Sequence, residues 1–62
     1  MKFQLGDRVR FNVGQEDPGL NGKVGTIIEV WPQPGEFHYG VALDGDPINE
    51  TFSANDEDLE KI

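Results

Sequence analysis

The chain has 62 residues, no cysteine, and twelve acidic side chains against five basic ones, for a net charge of −7 at neutral pH. This length predicts one domain, 1–62, with a small core and little room for a deep cavity, and the lack of cysteine excludes disulfides and thiolate metal sites. No apolar run approaches the roughly 18 residues of a membrane span, and no signal peptide is recognisable, so we expect a cytoplasmic protein that does not insert into membranes.

The negative charge is concentrated towards the C-terminus. Residues 1–43 are close to neutral, whereas seven of the eight charged side chains from Asp44 onward are acidic. A phosphate backbone would be repelled by that part of the chain, so the charge pattern argues against nucleic acid as a partner.

The first predicted strand lies in residues 8–13, where polar and apolar side chains alternate. This period of two is typical of a strand with one buried face, and it places Arg8 and Arg10 together on the solvent face. The following segment, 14–21, is rich in glycine, proline and asparagine and is predicted to be a loop.

The central strand is predicted within Gly22–Val30, a stretch in which four of the last five residues are β-branched. Gly22 suits a turn before the strand. Gly25, inside it, suggests a bulge or a close backbone approach. At Ile27 and Ile28 the alternation breaks, so either a bulge lets both point inward or one of them faces out.

A hairpin is predicted next, with the turn at residues 31–35 and the second strand from Phe37 to Leu43. The small residues Gly40 and Ala42 indicate that the other face of this strand is also closely approached. A short strand through residues 50–52, one helical turn near Ala54 to Asp58 and a last strand at residues 59–62 complete the chain.

Five short strands at this spacing predict an all-β fold, a five-stranded SH3-like antiparallel barrel with at most one short helical turn. The expected core contains most of the large apolar side chains: Phe3, Leu5, Val9, Phe11, Val13, Val24, Ile27, Ile28, Val30, Phe37, Tyr39, Val41, Leu43, Phe52, Leu59 and Ile62.

Two segments of the sequence resemble a known motif. Leu5-Gly6-Asp7-Arg8-Val9-Arg10, followed by Gly22-Lys23-Val24-Gly25-Thr26-Ile27-Ile28-Glu29-Val30, is similar to the KOW motif of NusG-type elongation factors and several ribosomal proteins. That resemblance implies an SH3-like barrel associated with nucleic acid in transcription or translation. The whole chain also resembles the photosystem I subunit IV family, which implies an accessory subunit docked on a membrane complex. Both resemblances are carried by glycines and alternating apolar residues that the fold itself demands.

The sequence contains few residues that could form a catalytic or a metal site. His38 and Ser53 are the only histidine and serine, and we expect His38 to be a strand residue that points outward, so no catalytic residue is predicted. Asp44, Asp46, Asn49 and Glu50 carry oxygen ligands of the type calcium prefers, but their spacing departs from an EF-hand loop and fits a turn better. We therefore predict no metal and no cofactor.

Protein recognition is the function that the sequence favours. Trp31 lies beside a proline-rich turn and close in sequence to Phe37 and Tyr39, and aromatic side chains beside acidic loops suit a basic or proline-containing peptide. The predicted partner-binding residues are Trp31, Phe37, Tyr39, Arg8 and Arg10. The alternative is that Trp31 folds back to cap the core. We expect a monomeric accessory module that binds a protein partner without catalysis.

Overall fold

The fold is described by a computed structural model that covers residues 2–31, 38–45 and 51–62. Its strands are β1 (Arg8–Phe11), β2 (Val24–Val30), β3 (Tyr39–Leu43), β4 (Thr51–Ala54) and β5 (Leu59–Lys61). Two single 3-10 turns, at Gly14–Glu16 and Asp56–Asp58, make up the helical structure of these residues. None of the helices in the described ranges is long and apolar enough to cross a membrane.

The five strands form one antiparallel sheet in the order β4-β3-β2-β1-β5. This confirms the predicted all-β, five-stranded antiparallel fold. The strands β4 and β5 lie at the two edges, so in the described residues the sheet curves around its core without closing into a hydrogen-bonded ring.

The core lies on the inner face of the curved sheet. Its buried members are Phe3, Val9, Phe11, Ile27, Tyr39, Val41, Ala54 and Leu59, and Val13, Leu20, Val30, Leu43 and Phe52 pack against them. Most of these residues were predicted to be in the core. Leu20 and Ala54 were not, because Leu20 lies in the predicted loop and Ala54 was assigned to the helical turn, whereas β4 extends to Ala54.

Leu5 and Ile62 were predicted to be core residues, and this is wrong; at Ile28 the alternative that one of Ile27 and Ile28 faces out is correct. Leu5, Ile28 and Ile62 are all exposed. Their exposed fractions are 65%, 43% and 55%. Ile28 is the extra residue of a β-bulge, since the pairing of β2 with β3 shifts between Ile27 and Glu29. The bulge therefore turns Ile28 outward while Ile27 stays in the core, because a bulge leaves its extra residue outside the regular pairing.

Gly25 allows β2 and β3 to pack closely. Its φ angle is not among the positive ones, but a Cβ at this position would lie 2.5 Å from the carbonyl oxygen of Ala42 and 2.8 Å from Cγ1 of Val41. The sequence left open a bulge or a close approach at this glycine, and the close approach is correct. Gly22, with φ of 85°, makes the predicted turn before the strand.

The helical turn at Asp56–Asp58 lies where the sequence predicts it, with Asn55 as its N-cap. The backbone N–H of Asn55 donates to Oδ2 of Asp58 at 3.0 Å, which is the reciprocal half of a capping box. The turn at Gly14–Glu16 was not predicted; it forms where Gly14 adopts a φ of 57° and the N–H of Glu16 donates to the carbonyl of Val13 at 3.2 Å.

Candidate protein-interaction site

Trp31 lies on the outer face of the sheet. Val30 pairs with Tyr39, which is in the core, and successive side chains of a strand point to opposite faces. The backbone N–H of Trp31 donates to the carbonyl of His38 at 2.7 Å, which extends the pairing of β2 and β3 by one residue beyond the strands. The indole is thereby placed over the outer surface of β3 and not over the core.

Gly40 provides the surface on which the indole lies. A Cβ on Gly40 would lie 3.3 Å from Cη2 of Trp31, 3.2 Å from Cβ of Glu29 and 2.7 Å from Cγ2 of Thr51. The side chains of Glu29, Trp31 and Thr51 therefore surround Gly40, which has no side chain of its own. We call Glu29, Trp31, Gly40 and Thr51 the Trp31 site.

The site is partly open to solvent. Glu29 and Thr51 are exposed, Gly40 is buried under its neighbours, and Trp31 is intermediate. Trp31 is absent from the buried core cluster and from the described side chains that pack against it. The sequence allowed either a contact residue or a cap over the core, and the observed position on the outer face favours a contact residue.

Tyr39 was predicted to be a partner-binding residue, and this is wrong. Its side chain is fully buried, with an exposed fraction of 0%, and it packs edge-on against Phe3 with ring centroids 5.4 Å apart. The face of β3 on which Tyr39 lies is the inner one, where its ring belongs to the core. Phe37, another predicted contact residue, lies outside the described residues.

The hydroxyl of Tyr39 instead holds the N-terminal segment in place. It accepts hydrogen bonds from the backbone N–H groups of Lys2 at 2.9 Å and Phe3 at 3.0 Å, and it donates to Oδ1 of Asp56. Burial and the hydrogen bond to Asp56 raise the pKa of Tyr39. The hydrogen bond from Tyr39 lowers the pKa of Asp56, as does the backbone of Lys2.

Arg8 is exposed on the outer face as predicted, but its guanidinium is hydrogen-bonded to two side chains of the same chain. Nη1 donates to Oγ1 of Thr26 at 2.8 Å and to Oδ1 of Asp44 at 2.7 Å, and Nη2 donates to Oδ2 of Asp44. This bidentate ion pair spans the outer surface of β1, β2 and the end of β3. The hydrogen bond to Arg8 holds the pKa of Asp44 below its usual value.

Arg10 is likewise exposed and paired. Its Nε donates to Oε1 of Glu60 at 2.8 Å, directly across from it on β5. Both predicted arginines therefore lie on the outer face, but each faces a carboxylate, and the hydrogen bonds place neither of them at the Trp31 site.

The residues considered for chemistry do not converge in the described part of the chain. His38 was expected to point outward, but its side chain is partly buried. Its Nδ1 is buried and has no hydrogen-bond partner among the described residues. No group of three or more His, Cys, Asp or Glu side chains in those residues could hold a metal ion. Of the oxygen ligands considered, Asp44 is bound to Arg8, and Asp46, Asn49 and Glu50 lie outside the described ranges.

Sequence reasoning identified Trp31 but not its neighbours. The small size of Gly40 and Ala42 indicated a close approach on the outer face of β3, which is correct at Gly40, but nothing in the sequence identified Trp31 as the residue that makes it. Glu29 and Thr51 were missed because the bulge at Ile28 decides where Glu29 lies, and the register of β4 decides where Thr51 lies.

The NMR structure of Bacillus subtilis protein YorP is similar to this chain. The TM-score is 0.73 at 18% sequence identity, and the match covers 100% of this chain and 71% of the YorP chain. At this identity the likeness shows the fold alone. No protein-family model and no curated protein matches the chain, so the resemblances to KOW domains and to photosystem I subunit IV stay predictions.

Proposed function

We propose that this chain is a non-catalytic module that binds a protein partner through the Trp31 site. The observation that carries the proposal is the position of Trp31, which rests on Gly40 on the outer face of the sheet and is not used to fill the core. In a chain with one tryptophan and a small core, a large aromatic side chain on the surface contributes less buried apolar area to folding than it would in the core. Tryptophan is enriched among the residues that dominate binding energy at protein interfaces.

The sheet restrains the position of Trp31. Cη2 of its indole lies 3.3 Å from the position that a Cβ on Gly40 would take, and its backbone N–H donates to the carbonyl of His38. A side chain that is already ordered loses little conformational entropy when a partner binds, so a larger part of the contact energy appears as affinity. The site is therefore suited to recognition without rearrangement of the backbone.

The alternative, a KOW-like domain that binds nucleic acid, is supported by Arg8 and Arg10 on one exposed face. Against it, both guanidinium groups are bonded to carboxylates, and a phosphate would have to displace Asp44 and Glu60 in a chain of net charge −7. A photosystem I accessory role would also be a form of protein binding. The monomeric state and the cytoplasmic location are predictions from the sequence alone.

Catalysis is not part of the proposal. In the described residues no hydrogen bond joins Ser53 to His38, the pair that a serine nucleophile would need. The buried Nδ1 of His38 would have to be uncovered before it could act as a base.

A peptide array tests the proposal. The wild-type chain is applied to an array of peptides of varied charge and proline content, beside Trp31→Ala and Leu5→Ala, which removes a 65% exposed apolar side chain from the turn before β1. We expect a subset of peptides to bind the wild type and Leu5→Ala but not a folded Trp31→Ala. The proposal would be contradicted if Trp31→Ala bound the same peptides as the wild type. It would also be contradicted if no peptide bound while RNA or duplex DNA bound tightly at physiological salt.

A further inference from the structure

We infer that the Trp31 site receives one cationic side chain of the partner, an arginine in preference to a lysine, between the indole of Trp31 and the carboxylate of Glu29. The inference rests on the proposed function and names the chemistry that its site recognises. It depends on the juxtaposition of an aromatic face and an acid at Gly40.

The geometry places the two groups together. Cη2 of Trp31 and Cβ of Glu29 both lie within 3.3 Å of a single point, the position that a Cβ on Gly40 would take. Both side chains therefore leave the sheet on its outer face, side by side. A cation above an indole is attracted by the negative face of the ring, and a carboxylate beside that ring adds an ion pair at the same spot.

The charges of this surface leave Glu29 available. In residues 2–31, 38–45 and 51–62 the ion pairs join Arg8 to Asp44, Arg10 to Glu60 and Lys61 to Asp7. None of these pairs involves Glu29, whose side chain is exposed. Among the described residues, the carboxylate of Glu29 therefore makes no ion pair that a cation from a partner would have to displace. The net charge of −7 attracts a basic partner.

Arginine fits this arrangement better than lysine. A planar guanidinium can stack on the indole and still direct N–H groups towards a carboxylate at its edge, whereas an ammonium is a compact, strongly hydrated point charge. Because Cη2 of Trp31 and Cβ of Glu29 lie beside the same point at Gly40, one planar group can reach both side chains.

The test uses two small probes, N-acetyl-arginine methylamide and its neutral isostere N-acetyl-citrulline methylamide. Each is titrated into the full chain at low ionic strength, and binding is followed by the fluorescence of the single tryptophan and by ¹H–¹⁵N NMR. We expect the arginine probe to shift the indole N–H of Trp31 and the amides of Glu29 and Gly40, and the citrulline probe to cause much smaller shifts. Equal binding of the two probes would overturn the inference.

Matched charge variants separate a local contact from general attraction. Glu29→Gln and Glu16→Gln each remove one exposed negative charge, but Glu16 lies in the loop after β1. We expect Glu29→Gln to weaken the arginine probe about two- to fivefold more than Glu16→Gln. Equal effects would refute the role of Glu29, although peptide binding that depends on Trp31 would still support the proposed function. If no peptide binds through Trp31, the proposed function fails even when the probe binds.

Discussion

The indole of Trp31 lies against Gly40 on the outer face of the sheet, with its Cη2 3.3 Å from the position that a Cβ on residue 40 would occupy. The sequence allowed Trp31 either to cap the core or to be a contact residue on the surface. The structure places it on the surface, in contact with Gly40. The ring is held by the sheet without being part of the core, so its removal should affect binding more than folding.

Trp31→Ala should therefore leave the domain folded. Because the ring is only partly buried, we expect the free energy of unfolding to fall by about 1–2 kcal/mol, measured by urea denaturation followed with far-UV circular dichroism. Phe11→Ala, at a side chain only 2% exposed, is the control and should cost about 3–5 kcal/mol. A Trp31→Ala protein as unstable as Phe11→Ala would show that the tryptophan is a core residue.

Alanine at Gly25 and at Gly40 should have different effects. At Gly25 the new methyl group would meet the backbone of Ala42 at 2.5 Å, so β2 and β3 must move apart, at a cost of about 2–3 kcal/mol. At Gly40 it would meet Cγ2 of Thr51 and Cη2 of Trp31, which side-chain rotation can move away, and Cβ of Glu29 at 3.2 Å, which needs only a small shift.

We therefore expect Gly40→Ala to cost less than about 1 kcal/mol in unfolding free energy, since the lower entropy of the unfolded chain offsets part of the strain. It should also shift the tryptophan emission to longer wavelength, because the ring is lifted from the sheet. Thermal melts and emission spectra of both variants test this. Equal loss of stability in the two variants would be incompatible with the contacts described at Gly40.

Tyr39→Phe should loosen the N-terminal segment. The change removes the acceptor of the Lys2 and Phe3 N–H groups and the donor to Asp56, and it leaves the ring packed against Phe3. We expect a loss of about 1–3 kcal/mol and faster hydrogen exchange at the amides of residues 2 and 3. Unchanged protection of those two amides would show that the hydroxyl does not hold the segment.

The stability of the domain should fall in acid. Hydrogen bonds from Tyr39 and Arg8 hold the pKa values of Asp56 and Asp44 below their usual range. A carboxyl whose pKa is lower in the folded state contributes stability that is complete above its unfolded pKa, about 3.9, and is lost as the pH falls through the folded value.

We thus expect urea midpoints that change little from pH 7 to about pH 5 and decline below about pH 4. The urea midpoint of Asp56→Asn should decline less steeply over the same interval, because the variant lacks one of the two carboxyl groups whose pKa is lowered on folding. If the variant and the wild type show the same slope, Asp56 is not a source of the acid sensitivity.

Much of the fold could be predicted from the sequence because burial on one face of a strand requires a period of two. That rule correctly placed Val9 and Phe11 inside and Arg8 and Arg10 outside. It could not decide which face of a strand is the inner one, so Tyr39 was predicted both as a core residue and as a contact residue; it is buried in the core. The assignment of an isolated strand to a face depends on its neighbours.

The candidate site was harder to predict for the same reason. Its members come from residues that are distant in sequence, and one extra residue at Ile28 changes which side chains lie beside Gly40. A bulge has no reliable sequence pattern: the adjacent Ile27 and Ile28 left open a bulge with both residues inward or one residue facing out, and the structure has a bulge with Ile28 facing out. The ion pair from Arg8 to Asp44 depends on the pairing of β1, β2 and β3, and that from Arg10 to Glu60 on the pairing of β1 with β5. Local periodicity does not contain that information.

The proposal that a protein partner binds at Trp31 is tested most directly by a ¹H–¹⁵N NMR titration with the tightest peptide from the array. We predict that the indole N–H of Trp31 and the backbone amides of Glu29, Gly40 and Thr51 shift first and most, and that those of Arg8 and Arg10 shift little. Shifts centred on Arg8 and Arg10, with the indole resonance unchanged, would contradict the account.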